Sequence, residues 1–379
     1  MSKNFINFYL LILSIILSLI LCEIFSRFYI NSFNLDTAHK KISKKNKKFE
    51  KKNFEQFKLY RDEKILSIGG KSHSNIFLCK EKYPVYYKSD RFGFRNYDFL
   101  WSEKIAKDFL LIGDSFVHGE CVKDEFTFSN IFNDKFNKKT INLGVGGSSS
   151  LNQLASVVEY GKVINPKFII WFYFEGNDLD GLDSEFKVSS LKNYLKANYS
   201  QNLILKQNFI DQKLNQSDNE SYNKSDNKSD NKSDNKSDDK SYKKSDINQK
   251  SGIFKDTIKL RYFRQLLTYA SGVKLINTSG RKEELLKFEI TTNRILDESE
   301  KLNAKLVFVY LPHLKNPYTF TSFEKNKVIN IIKKKKIILV DIENEISDFS
   351  EDYFLDKNPN FHYSEETMNK VVKIIVSKL

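Results

Sequence analysis

The stretch "DFLLIGDSFVHGE" (Asp108 to Glu120) runs four apolar residues straight into Gly113, Asp114 and Ser115. A serine on a tight turn at a strand end faces whatever occupies the crevice beyond it. To act as a nucleophile it needs a base to take its proton and donors to hold charge developing on a substrate oxygen. Asn177, in "FYFEGNDLDG", offers a neutral amide donor. Gly147, in "NLGVGGSSS", lets a backbone N–H approach closely. His362, in "YFLDKNPNFHYSEE", is a base that follows the last apolar strand and precedes the last helical pattern.

These residues need a frame, and the apolar pattern supplies one. Runs of strand length are "FLLIG" (Phe109 to Gly113), "TINLGV" (Thr140 to Val145), "FIIWFYF" (Phe168 to Phe174), "KLVFVYL" (Lys305 to Leu311) and "KIILVDI" (Lys336 to Ile342). Between and after them lie stretches with apolar residues near helical spacing: "SLNQLASVVEYGKVI", "EELLKFEITTNRILDESEKL", "FEKNKVINIIKKK" and "SEETMNKVVKIIVSKL". In the last, Ser364 is a natural N-cap. Continuous apolar strands alternating with helices predict an α/β fold, a doubly wound parallel five-stranded sheet with helices on both faces. Ligands in such sheets sit at the carboxyl ends of the strands. Ser115, Gly147 and Asn177 all follow strand ends.

In this order and spacing, "GDSFVHG", "NLGVGG", "EGND" and a late His before the last helix resemble the four blocks of the SGNH, or GDSL, hydrolase superfamily. The resemblance covers about Asp108 to Leu379, and "SDRFGFRN" (Ser89 to Asn96) resembles the lead-in of membrane-anchored members. It implies a flavodoxin-like strand order, Ser115 as nucleophile and His362 as general base. It further implies an oxyanion hole from the Ser115 backbone N–H, Gly147 and Asn177, with no metal and no cofactor. One position departs from the pattern. The family places Asp three residues before the His, where this chain has Pro359; Asp356 is the nearest carboxylate upstream and is the candidate triad acid. Asp114 and Asp178 read as loop-bracing residues, His118 as a rim residue and His313 as a pocket-lining one.

The remainder of the chain reads as follows. It has 379 residues and a formal charge of +14, much of it in the block from His39 to Lys58. No zinc spacing or nucleic-acid signature accompanies that block, so no nucleic-acid partner is expected. "FINFYLLILSIILSLILCEIF" (Phe5 to Phe25) has the length and apolarity of a bilayer span, and no cleavage site follows it. The segment 1–30 is therefore expected to be a transmembrane anchor and 31–100 a basic juxtamembrane segment and lead-in. The hydrolase-like domain is expected over 101–379, interrupted by a disordered insertion at 213–251. That insertion carries the "NKSD" repeat, which has almost no apolar residue to offset the entropy of ordering. Of the three cysteines, Cys22 follows Leu21, where a lipidation site wants a small residue. Cys79 and Cys121 read equally as a disulfide in an oxidising compartment or as buried free thiols. The lysines after the span favour an inside domain, but long domains cross regardless of charge. Anchored relatives act on extracytoplasmic substrates, and that places the expected domain outside.

The activity implied is a serine esterase removing an O-acyl group from a surface glycan or lipid. One alternative is an O-acyltransferase on a cell-surface polysaccharide with the same Ser/His site, working beside a multi-span membrane partner. Another is an inactive carbohydrate-binding scaffold.

Overall fold

The computed structural model describes residues 54–62, 64–79, 81, 84–226, 278–314, 321–358 and 361–379, with Ser14, Ser18, Leu19, Leu21, Cys22 and Phe25 before them. Those six are helical, but most of the apolar stretch from Phe5 to Phe25 lies outside the described residues. No described helix is long and apolar enough to cross a membrane. The chain divides into two units. Met1–Glu50, Ser225–Ile276 and Lys315–Phe320 form one, which lies almost wholly outside the described residues. Lys51–Lys224, Asn277–Leu314 and Thr321–Leu379 form the other, which carries the candidate site.

The apolar runs fold as strands. After three short lead-in strands, β1 (Glu55–Gln56), β2 (Asn75–Cys79) and β3 (Val85–Lys88), come β4 (Lys107–Ile112) and β5 (Thr140–Asn142). Then follow β6 (Pro166–Phe174), β7 (Lys305–Leu311) and β8 (Ile338–Asp341). The main helices are α1 (Ser115–His118), α2 (Phe128–Phe136), α3 (Ser150–Ile164), α4 (Asp178–Phe186), α5 (Leu203–Asp226), α6 (Thr278–Lys301), α7 (Thr321–Lys334) and α8 (Glu365–Lys378).

Strands β4 to β8 form a parallel sheet in the order β5-β4-β6-β7-β8. Alternate side chains serve opposite faces, so each strand must be apolar throughout. Leu110, Ile112, Ile169, Trp171 and Tyr173 enter one core with Leu151 and Leu154 of α3 and Phe288 of α6. Phe109, Leu111, Ile170, Phe172 and Phe174 enter the other with Ile131 and Phe132 of α2 and Val371 and Val372 of α8. The order reverses direction at β4, which pairs with β5 on one side and β6 on the other. A crevice opens at such a reversal, and Ser115 stands there.

The lead-in contains a sheet of its own: β1, β2 and β3, with β1 parallel to β2 and β2 antiparallel to β3. It belongs to the unit that carries the candidate site. One boundary differs from the sequence reading: the insertion does not begin at 213. Leu214 is still buried, and α5 continues to Asp226, the end of the first Lys-Ser-Asp unit. A helix whose first turns are anchored by burial extends at small cost per added residue. Residues 227–251 lie outside the described residues.

Candidate active site

The serine turn is built by close approach. Asp114 caps α1, its carboxylate accepting the Phe116 N–H at 3.0 Å, and Gly119 ends the helix at φ 78°. Beneath it, the amide of Asn142 donates to the Val117 carbonyl at 2.7 Å, and its oxygen accepts the Gly144 N–H at 2.8 Å. A Cβ at Gly144 would lie 2.5 Å from the His118 backbone nitrogen, so only glycine lets the second block pack this tightly. From the lead-in, buried Arg95 donates to the Gly119 carbonyl at 2.6 Å, to the Val122 carbonyl at 3.0 Å and to Asp124 at 2.8 Å. Asp90 gathers the rest of "SDRFGFRN": its oxygens accept from Phe92, Phe94, Asn96 and Trp101, while burial raises its pKa to about 6.

The candidate oxyanion donors flank this turn. Gly147 is exposed at φ 71°, and a Cβ there would meet nothing within 4 Å, so the backbone borders open space. Asn177 is exposed at the start of α4. The next residue, Asp178, is buried and braces the loop, accepting the Phe174 N–H at 2.6 Å and the Gln153 amide at 3.0 Å. Burial pushes the Asp178 carboxyl well up, and the charge of Asp114 adds to that. Asp114 is also raised by burial, against the pull of the Phe116 N–H, the His362 cation and the nearby Asn177 amide.

His362 lies against the serine turn, its ring centroid 4.9 Å from that of Phe116. Its orientation comes from an unforeseen residue. Glu81 Oε1 is 2.9 Å from His362 Nδ1, and Glu81 Oε2 accepts the His362 backbone N–H at 3.0 Å. Nδ1 therefore carries the proton it gives to Glu81, which leaves Nε2 as the acceptor nitrogen. Glu120 Oε2 lies 3.6 Å from Nε2. Among the described residues, no hydrogen bond joins Ser115 Oγ to His362; such contacts are often loose before substrate binds. Burial by itself would lower the His362 pKa. The hydrogen bond and charge of Glu81, with Glu120 and Asp114, reverse this and hold it above its ordinary value. Glu120 is raised by burial, with His362 and Arg95 opposing and Asp114 and Glu81 adding to the rise.

Asp356 does not take the place expected of it. It is exposed, with a left-handed backbone at φ 50°, and lines a surface hollow of about 380 Å³ with Asp352, Lys357 and Glu366. Nδ1 of His362 is held by Glu81 instead. His118 is not a rim residue either. It is buried, hydrogen-bonded through Nε2 to Tyr87 at 3.1 Å, and kept neutral by burial, which with Arg95 and His362 lowers its pKa to about 3. His313 is half-buried against Phe174 and beside Gly176, at the edge of the Asn177 loop. Cys79 and Cys121 form a disulfide. Their sulfurs and Glu81 cluster closely enough to suggest a metal site, but bonded sulfurs are not thiolate ligands.

The four block residues thus lie on one unit, at or after the ends of β4, β5, β6 and β8, on a sheet whose order reverses at β4. This is the arrangement that the sequence resemblance to the SGNH blocks implies. No family model matches the chain, and no curated protein matches it. Solved structures match it only at low similarity. A protein of the G-D-S-L lipolytic family from Desulfitobacterium hafniense DCB-2 is 13% identical with a TM-score of 0.37, covering 72% of this chain and 99% of that one. TesA is 8% identical with a TM-score of 0.37, over 72% and 98%. An esterase EstA from Pseudoalteromonas sp., in a structure inhibited by monoethylphosphonate, is 10% identical with a TM-score of 0.35, over 72% and 96%. These values are too low for any residue role to pass from those proteins to this chain.

Glu81 was missed because it stands outside every block. The one signal was indirect: it follows Cys79 by two residues, and Glu120 directly precedes Cys121, so pairing the cysteines brings both carboxylates to one place.

Proposed function

We propose that the protein is a serine esterase of the SGNH type that removes an O-acyl group from a surface glycan or lipid. The carrying observation is the Glu81–His362 pair, with Nε2 left as the acceptor, packed against the serine turn at the end of β4. Ser115 Oγ attacks the ester carbonyl and His362 Nε2 takes its proton. Glu81 stabilises the imidazolium that forms. The Ser115 N–H, the Gly147 N–H and the Asn177 amide hold the oxyanion. The alcohol departs with the proton from His362, and water, activated by the same nitrogen, releases the acyl group from Ser115. Hydrolysis is favoured over transfer to a sugar hydroxyl because Gly147 and Asn177 are exposed, and an open site admits water.

The protein is held to the membrane by the segment from Phe5 to Phe25, with the catalytic unit outside. The disulfide supports this side, because such bonds persist in oxidising compartments. Incubating the full chain with p-nitrophenyl acetate and with a fluorophosphonate tests the activity. The expected result is turnover, blocked in parallel with phosphonylation of Ser115 located by mass spectrometry. Absence of both turnover and labelling overturns the esterase reading.

A further inference from the structure

We infer that the Cys79–Cys121 disulfide is a positioning device for catalysis: it holds Glu81 on His362, so the acid of the site comes from the lead-in hairpin rather than from the loop before α8. This rests on the esterase reading for its kinetic consequences, but not for its geometry.

Glu81 lies in the connection between β2 and β3, where Cys79 pairs with Val85 and the register shifts between Phe77 and Cys79. A carboxylate on such a connection swings unless the connection is tied down. The tie is the bond to Cys121, with a Cα–Cα distance of 5.0 Å. Cys121 leaves the serine turn in a left-handed conformation, φ 67°. Its sulfur lies 3.5 Å from His362 Nδ1, so the bridge passes beside the imidazole. The hairpin, the serine turn and the histidine loop meet at this point. Both oxygens of Glu81 are used, one on the ring and one on the backbone of His362.

The tie matters because a second carboxylate competes. The groups facing His362 are Glu81 from the hairpin, Glu120 from beyond α1 and Asp114 from the cap of α1, with His118 and Arg95 behind them. Glu81 meets Nδ1, whereas Glu120 lies nearer Nε2. A proton drawn to Nε2 by Glu120 would block the nitrogen that must receive the serine proton. With Glu81 fixed, the proton stays on Nδ1. With Glu81 released, Glu120 is left to select the wrong tautomer, and a wrong tautomer is costly to general-base catalysis. Glu81 is thus a positioning residue acting through His362, and the disulfide acts through Glu81.

The test uses the full chain and two readouts. Glu81→Gln should lower kcat by about 10²-fold or more with KM within about threefold. Cys79→Ala with Cys121→Ala should lower kcat by roughly 10-fold or more. Adding the cysteine changes to Glu81→Gln should cause little further loss, because they act through one group. If the cysteine variant fails to fold, reduction of the folded parent with a phosphine serves instead. The phosphine supplies two electrons and becomes its oxide, and one water supplies the oxide's oxygen and the two protons of the two thiols. The second readout is the NMR titration of the His362 ring, which needs no turnover: its pKa should fall in Glu81→Gln and on loss of the disulfide. A parent-like His362 titration after the disulfide is opened overturns the proposal. A drop in that pKa alongside a protein inert to every ester and to fluorophosphonate leaves the positioning intact and removes the esterase reading alone.

Discussion

The two halves of the site are held in different ways. The serine turn is locked by its own fold: Asn142, Gly144 and Asp114 come from the sheet and its loops, and Arg95 clamps three partners from below. The histidine side relies on an addition. His362 sits on a loop after β8, and what orients its ring is a carboxylate from a hairpin before the sheet begins. The contrast teaches that the geometry of the candidate nucleophile comes from the sheet and its loops, whereas the orientation of the candidate base comes from the lead-in hairpin.

The comparison breaks most sharply at the nucleophile. Ser115→Ala should reduce ester turnover on the order of 10³-fold or more, with unchanged thermal unfolding, because the turn does not depend on the hydroxyl. A variant as active as the parent would move the chemistry elsewhere. Arg95→Ala tests the locked half through stability. It strips the buried Gly119 and Val122 carbonyls of their donor and leaves Asp124 without its partner. A loss of about 2–4 kcal/mol is expected in denaturant titration. An effect below about 0.5 kcal/mol would mean that the turn holds its shape without the clamp.

The oriented half is tested by pH. Only neutral imidazole accepts the serine proton, so kcat/KM should rise with pH through the His362 pKa. Because Glu81, Glu120 and Asp114 hold that pKa up against burial, the midpoint should lie above the ordinary value of about 6.5. A midpoint below this would contradict the arrangement of carboxylates around the ring. The smallest effect is expected at Asp356. Asp356→Asn should leave kcat within about twofold, since Nδ1 already has its partner. A large loss there would return the acid to the loop before α8.

Legibility in the sequence followed the same division. All five sheet strands read directly, because residues buried on both faces, such as those of "FIIWFYF", must be apolar without a break. The serine turn read directly too, since the apolar run of β4 stops at Gly113 and a second glycine follows four residues past Ser115. That Asp114 caps α1 and Gly119 ends it became clear only in the structure. Glu81 left no local mark. Its contact with His362 spans 281 positions, and nothing in the residues near either end announces the other. The lead-in sheet escaped notice because its strands are only 2, 5 and 4 residues long, too short for alternation to stand out. The far end of α5 was hidden by composition: "NKSD" says only that a core cannot form there, not whether an existing helix continues into it.

The order of these parts along the chain also sets a clock. Glu81, both bridging cysteines and Ser115 are all made before β6, whereas His362 follows β8. At roughly 5–20 residues per second, synthesis delivers the histidine on the order of tens of seconds after Cys121. The clamp that receives His362 can therefore close first, and a nascent chain remains without its base until the loop before α8 arrives. A chain interrupted before residue 362 lacks the proposed base, so unfinished copies carry at most one member of the proposed Ser115–His362 pair.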